Sequence, residues 1–308
     1  MKKFTILFIT KNRRDILNSL NSCLEIKKYH SNLHIIILDG NKNNYLNDKI
    51  KSFKNLVNLK IVKQKKSGFM NACFQAVEYL DEGYFTFMYD DDILSPYFGK
   101  LVSYSCKRGK QIYGYGIIYP KNNKFKFNKP KLNFISKNKI DFLKEYFSLK
   151  SKKVLPNSPI TSIFSVKIIK KWKNILTRKI NDEIAECLMI KKNIGPDLLL
   201  YLLSLELDKK NIKTIVSNDI TAKFSSHKNS MSIQYGSNNL RFGYWIAKTK
   251  FLNHLENKQL IGRKLIFIHF IKGFFILLLY LIDKKKFKNF NLKNYISIYY
   301  DIYHKIFF

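Results

Sequence analysis

Hydrophobic positions in the first hundred residues fall into two kinds of run. Residues 4–10, 33–38, 56–62 and 84–89 are short, continuous, β-rich apolar stretches, the third weaker than the others. Each reads as a strand buried in a sheet. Between them the apolar residues space out helically. Ile16, Leu17, Leu20, Cys23 and Leu24 mark a helix over 15–26. Met70, Cys73, Phe74, Val77 and Leu80 mark one over 68–80. Strands alternating with helices at this spacing predict βαβ units and a mostly parallel sheet flanked by helices, an α/β fold.

The middle of the chain is less regular. Residues 113–119 predict a strand and 121–139 a Lys/Asn-rich, loop-like insertion. A Pro/Asn/Ser turn cluster at 155–159 leads into an apolar run at 160–166 and a helix over 168–175. Ile194-Gly195-Pro196-Asp197 precedes a strongly apolar helix at 198–207, with Pro196 suited to a helix start. Residues 213–217 predict another strand, and 224–230 read as a Ser/Asn-rich segment carrying His227. No internal repeat is visible.

The pattern changes near the end. Residues 265–282 are almost continuously aliphatic and aromatic, broken by His269 and Lys272. The run approaches the length of a membrane span, but a central Lys costs about 2.5–3.5 kcal/mol on insertion scales. Arg263 and Lys264 precede it, and Lys284, Lys285, Lys286 and Lys288 follow it. Positive charge on both flanks gives no orientation. This fits a helix lying on a membrane surface or forming a dimer face, with a core helix as the alternative. The organisation read here is a catalytic region at 1–235 and a basic, aromatic helical region at 236–308.

Charge narrows the choice of partners. The 308-residue chain carries a formal net charge of +34 and is 46% hydrophobic, enough for a full core. Only Arg13, Arg14, Arg108, Arg178, Arg241 and Arg263 are arginines; the remaining cations are Lys. Together with abundant Asn, Ile, Phe and Tyr, this matches A/T-rich codon usage. A chain that reads bases or forks phosphates would use more Arg, so nucleic acid is discounted. Anionic lipid or an anionic small substrate fits better. Cys23, Cys73, Cys106 and Cys187 are widely spaced with no CxxC or Cys/His ligand pair, which argues against structural zinc and fits a reducing cytoplasm. The first residues begin like a signal peptide, but Lys11, Asn12, Arg13, Arg14 and Asp15 cut the apolar run short, so it reads as a strand.

The chemistry concentrates where the fourth apolar run ends in Asp90-Asp91-Asp92. Adjacent carboxylates repel one another unless a cation or hydrogen bonds compensate them. Oxygen-only ligands suit Mg2+ or Mn2+, which points to metal-assisted chemistry on a phosphate ester. A solvated turn with a capping Asp is the plain alternative.

The order of these elements resembles the inverting GT-A glycosyltransferases of family 2. The resemblance rests on Thr10-Lys11-Asn12-Arg13 after the first strand, Asp39 after the second, Gly68 and Asn71 at a helix start, and Asp90-Asp91-Asp92-Ile93-Leu94-Ser95-Pro96 after the fourth. It covers residues 4–100 well and continues less specifically through 156–164, Asp197 and His227. It implies a Rossmann-like GT-A sheet with a C-terminal helical extension and a metal-assisted sugar transfer. The donor would be a nucleotide-sugar, UDP- or GDP-linked, and the acceptor a hydroxyl of a cell-surface or lipid-linked glycan. By the same resemblance, Thr10, Asn12, Arg13, Asp39, Gly68, Asn71, Asp90 and Asp91 line the donor crevice. Asp92, Asp90 and His227 hold Mn2+ or Mg2+, and Asp197 is the general base, with Asp182 and Glu183 as alternatives. The family usually places Glu before that acid; here Pro196 stands there. Lys65 and Lys66 precede a helix N-terminus and could meet the nucleotide. A cytoplasmic enzyme peripheral to the inner membrane face is expected. A GT-A-like nucleotidyltransferase would carry a glycine-rich loop after the first strand, and residues 10–15 contain no Gly. A non-enzymatic polyanion binder leaves the Asp triplet unexplained.

Overall fold

The computed structural model describes residues 1–11, 16–41, 46, 50, 53, 55–120, 126–129, 132–136, 138–148, 158–177, 186–207, 213–226, 236–255, 261–282, 292, 295–297, 299, 300 and 303. The chain divides into two compact units. The first comprises residues 1–137, 156–173 and 204–227, and the second 138–155, 174–203 and 228–308.

In chain order the elements begin β1 (Phe4–Thr10), α1 (Ile16–Leu24), β2 (Leu33–Asp39), β3 (Asn58–Lys63), α2 (Phe69–Val77), β4 (Tyr84–Tyr89), β5 (Ile93–Leu94) and α3 (Phe98–Arg108). Then follow β6 (Gln111–Pro120), β7 (Phe134–Ser136), α4 (Lys139–Phe147), β8 (Phe164–Ser165), α5 (Ile169–Thr177) and α6 (Pro196–Glu206). The chain continues with β9 (Thr214–Ser226), α7 (Gly236–His254) and α8 (Arg263–Ile282).

The first unit holds two sheets. Every residue of β1 is buried, as its unbroken apolar run requires of a central strand. The sheet order is β3-β2-β1-β4-β8, parallel from β3 through β4, with β8 antiparallel on β4. β3 lies at the edge and none of its residues is fully buried, which accounts for its weak pattern. The second sheet runs β5-β9-β6, with β7 also paired to β9. Phe4, Ile6, Phe8, Ile35, Ile37 and Met88 from the first sheet share a core with Leu20 and Cys23 of α1 and Leu101 and Val102 of α3.

Two sequence expectations change here, and one run is resolved. Residues 121–139 are not all loop: Phe134–Ser136 form β7 against β9, and α4 starts at Lys139, capped by Asn138, whose side chain accepts the Asp141 N–H at 2.9 Å. The strand expected at 213–217 extends to Ser226, because β9 is held by ladder partners on β5, β6 and β7 rather than by its own apolar run. The apolar run at 160–166, to which no element was assigned, holds the end of a 3-10 turn at Pro159–Thr161 and the two-residue strand β8.

The second unit is helical, with α4, α7, α8 and α6 through Leu203. Trp245 of α7 is its aromatic centre. It stacks on His269 at 5.2 Å between ring centres and packs on Tyr295 at the same distance. Its indole N–H donates to the His269 carbonyl at 3.1 Å.

Candidate active site

The parallel register brings the strand ends together. Thr10 pairs with Asp39 across β1 and β2, Asp39 pairs with Lys63 across β2 and β3, and Ile9 pairs with Tyr89 across β1 and β4. Asp39, at the end of β2, is 2% exposed. Its Oδ1 accepts the Asn41 backbone N–H at 2.9 Å and the Asn41 amide at 2.7 Å. Its Oδ2 accepts from the Lys63 ammonium at 2.6 Å, an ion pair whose Lys side is 44% exposed. Such charge-assisted bonds fix the orientation of a carboxylate at the sheet edge. The chain after β3 is pinned by Gln75 of α2, whose amide donates to the Lys63 carbonyl at 2.8 Å and accepts the Lys65 N–H at 2.9 Å.

The acid triplet sits where the chain leaves one sheet for the other. β4 belongs to the first sheet and β5 to the second, and residues 90–92 make the crossing. The Asp92 N–H closes this turn onto the Tyr89 carbonyl at 3.3 Å. Asp90 Oδ2 accepts from the Thr10 hydroxyl at 2.8 Å and the Lys11 N–H at 2.9 Å, which ties it to the end of β1. Asp92 Oδ1 accepts the Ser225 N–H of β9 at 3.1 Å. Both carboxylates are buried, and Asp91 is partly exposed. The Leu94 N–H donates to Ser22 Oγ of α1 at 3.1 Å, fixing the segment beyond the turn.

Asp197 lies in the first turn of α6, where its Oδ1 accepts the Leu198 N–H at 2.8 Å. Burial pushes its carboxyl up to about 7, against the lowering effect of nearby backbone N–H groups. The Tyr244 phenol of α7 is raised in turn, first by the Asp197 charge and then by burial. The approach is set by Gly195, at φ +100°: a Cβ there would stand 2.6 Å from the Gly243 carbonyl oxygen. Only a residue without a side chain fits both that angle and that distance.

The sequence profile described as Glycosyl transferase family 2 matches residues 5–173, more than half of the chain. The chain belongs to glycosyl transferase family 2. Searching curated proteins gives no match. Solved structures agree on the fold. The chain is similar to S. aureus TarS 1–349 in complex with UDP-GlcNAc, at TM-score 0.61 and 15% identity, covering 99% of this chain and 81% of that one. It is also similar to TarS 1–349 in complex with UDP, at TM-score 0.52 and 12% identity, covering 98% and 92%. Against the longer TarS structure the TM-score is 0.55 at 13% identity, and this chain spans 49% of it. The architecture is GT-A, and the protein is a glycosyltransferase. That sets aside the nucleotidyltransferase and the non-enzymatic polyanion binder.

As a family 2 enzyme it places Thr10, Asp39, Asp90 and Asp92 along one edge of β1, β2 and β4. Gly68 caps α2 at φ +105°, and the Asn71 amide donates back to the Ser67 carbonyl at 2.7 Å, so both shape the loop after β3. Lys65 and Lys66 are exposed there. Asn12, Arg13, His227, Asp182 and Glu183 lie outside the described residues. Among the described residues no three His, Cys, Asp or Glu side chains converge into a ready metal cage. Asn41, Lys63, Ser225 and Tyr244 were not anticipated. Asn41 carried a signal, standing two residues after a strand-ending Asp, where Asx turns form. Lys63 becomes visible only once β2 and β3 are in register.

Proposed function

We propose that this glycosyltransferase moves a sugar from a UDP-linked donor to a hydroxyl of a cell-surface or lipid-linked glycan, with inversion at the anomeric carbon. The carrying observation is the buried carboxylate edge, with Asp39 at one strand end and Asp90 and Asp92 at the crossing between sheets. The UDP complexes of the similar TarS structures favour a uridine donor over a guanosine one.

Asp39 takes hydrogen bonds from the base or ribose, backed by Lys63 and Asn41. Thr10, Asn12, Arg13, Gly68, Asn71 and Asp91 line the donor crevice. Asp90 and Asp92 offer oxygen-only donors that fit Mg2+ or Mn2+, an ion that usually completes its shell with substrate phosphates and water rather than with a full protein cage. His227, two positions after Ser225 in sequence, is the further candidate ligand. When bound, the ion would supply positive charge to the diphosphate leaving group. Asp197 accepts the proton of the acceptor hydroxyl as its oxygen bonds to the anomeric carbon and the bond to the diphosphate breaks. A carboxyl near 7 suits that task close to neutral pH. The acceptor class fits an enzyme peripheral to the inner membrane face.

The test is thermal shift and donor hydrolysis with UDP, GDP and their sugars, with and without Mn2+. Metal-dependent stabilisation by UDP is expected, because a ligand that binds the folded state alone raises its apparent stability. Asp92→Asn should remove the metal-dependent part of both readouts. Hydrolysis that persists unchanged in Asp92→Asn, or stabilisation without metal, overturns the assignment.

A further inference from the structure

α8 is inside out for a helix of a water-soluble protein. Its large apolar side chains face outward: Phe274 is 45% exposed, Phe275 55%, Leu281 53% and Ile282 81%, and Phe267, Leu278 and Leu279 are exposed as well. On the helix these residues fall on one broad stripe at spacings of three, four and seven. The opposite face, His269, Gly273 and Ile276, is the buried one. What holds that face is polar and small. The Thr249 hydroxyl shares a hydrogen bond with His269 Nε2 at 3.0 Å, and the Tyr295 hydroxyl donates to the Gly273 carbonyl. The Lys272 ammonium donates to the Ser148 carbonyl. A Cβ on Gly273 would lie 2.8 Å from the Trp245 ring, so the helix packs there at backbone distance.

In water this arrangement leaves the largest hydrophobic surface of the helix unused. Where the outer solvent is hydrocarbon it is the favourable arrangement, because small and polar residues then mediate helix contacts and apolar ones meet lipid. The helix does not need to cross the bilayer to satisfy this. One side is committed to its own unit, against α4 and α7, whose Lys144, Arg241 and Asn253 are exposed to water. Arg263 and Lys264 are exposed at its N-terminal end, and the chain carries +34. An anionic surface complements that charge, whereas a second copy would bring the same sign to the same face.

We infer that α8 docks the protein on an anionic lipid bilayer, lying in the interface with its Phe/Leu stripe at the acyl boundary. This stands on the helix alone and does not depend on the catalytic reading.

The experiment is flotation of the full chain with phosphatidylglycerol/phosphatidylethanolamine vesicles and with phosphatidylcholine vesicles, at low and high salt. Binding to the anionic vesicles is expected, weakened but not abolished by salt, because the apolar stripe is unscreened. A Phe274→Ser, Leu278→Ser, Leu281→Ser variant should lose binding by more than about tenfold while donor hydrolysis is unchanged. A Leu278→Trp variant, which keeps the stripe apolar, should gain indole fluorescence over the parent that brominated lipid quenches. The inference is overturned by absent flotation, by complete release with salt, by a triple variant that floats like the parent, or by Leu278→Trp fluorescence that brominated lipid quenches no more than the parent's. It is equally overturned by a lipid-free dimer that the triple variant dissociates, which would give the face to a second copy.

Discussion

A single carboxylate shows how the proposed donor site is held in place by its own side chains. Asp39 is buried, and both its oxygens are engaged by Asn41 and Lys63. Replacing Lys63 with Met would leave that charge short of its strongest partner. Because the ammonium is half-exposed, water replaces part of the lost interaction, and the expected cost is about 1–2 kcal/mol rather than that of a fully buried pair. Urea unfolding of Lys63→Met and Lys63→Arg checks this, with Arg retaining most of the stability. Asp197 makes a second prediction at this scale. Between its ordinary 3.8 and about 7 the folded chain keeps a proton that the unfolded chain releases. Folded stability therefore falls as pH rises through that window. The transfer rate moves the other way: with Asp197 as the proposed base, which must be ionised, kcat/KM should climb with pH up to about 7 and then level. Asp197→Asn should lower the rate by about 10²–10⁴-fold and remove the acid limb. A variant that keeps the limb would show that another group titrates there.

At the scale of elements, α8 depends on one small residue. Valine at Gly273 would place its Cβ 2.8 Å from the Trp245 ring and 3.1 Å from the Tyr295 hydroxyl, and overpacking of this kind costs about 1–3 kcal/mol. Calorimetry should show Gly273→Val melting several degrees below the parent, while Gly262→Ala, where a Cβ meets nothing within 4 Å, should hardly move it. The same helix marks the limit of what the sequence shows. β1, β2 and β4 were legible because each is a continuous apolar run in the interior of a parallel sheet. The length of α8 was legible too, but an almost uniformly apolar helix has no periodicity to tell its inner face from its outer one. β7 and most of β9 were hidden because backbone partners far along the chain, not local composition, hold them. The candidate site divides in the same way. Asp39, Asp90 and Asp92 could be named because they end apolar runs. Lys63 and Ser225 reach those acids only through register and the β5–β9 crossing, which no local pattern encodes.

Over the whole molecule the charge is +34, and what bears on gathering the donor is which of those cations stand near it. A sugar nucleotide carries a diphosphate, and among the described residues Lys11, Lys63, Lys65 and Lys66 are exposed cations at or just after the ends of β1 and β3. Their attraction is long-ranged and screened over about 8 Å at physiological ionic strength. In the proposed reaction, bond making at the buried edge of Asp90 and Asp92 is short-ranged and screened far less. Raising salt should therefore raise KM for the donor several-fold while leaving kcat nearly constant, since steering enters through encounter. Two sources of steering predict different mutants. If the total charge acts, Lys65→Gln with Lys66→Gln, which takes the chain only from +34 to +32, should leave the salt dependence of KM untouched. If the lysines after β3 act, that pair should flatten the dependence markedly, and two Lys→Gln changes elsewhere on the surface should not. The second outcome is expected, because with screening over about 8 Å a cation beside the strand ends is felt by the diphosphate and one on a distant helix is not. Steady-state kinetics of the parent and the two double variants across a salt series reads the difference directly.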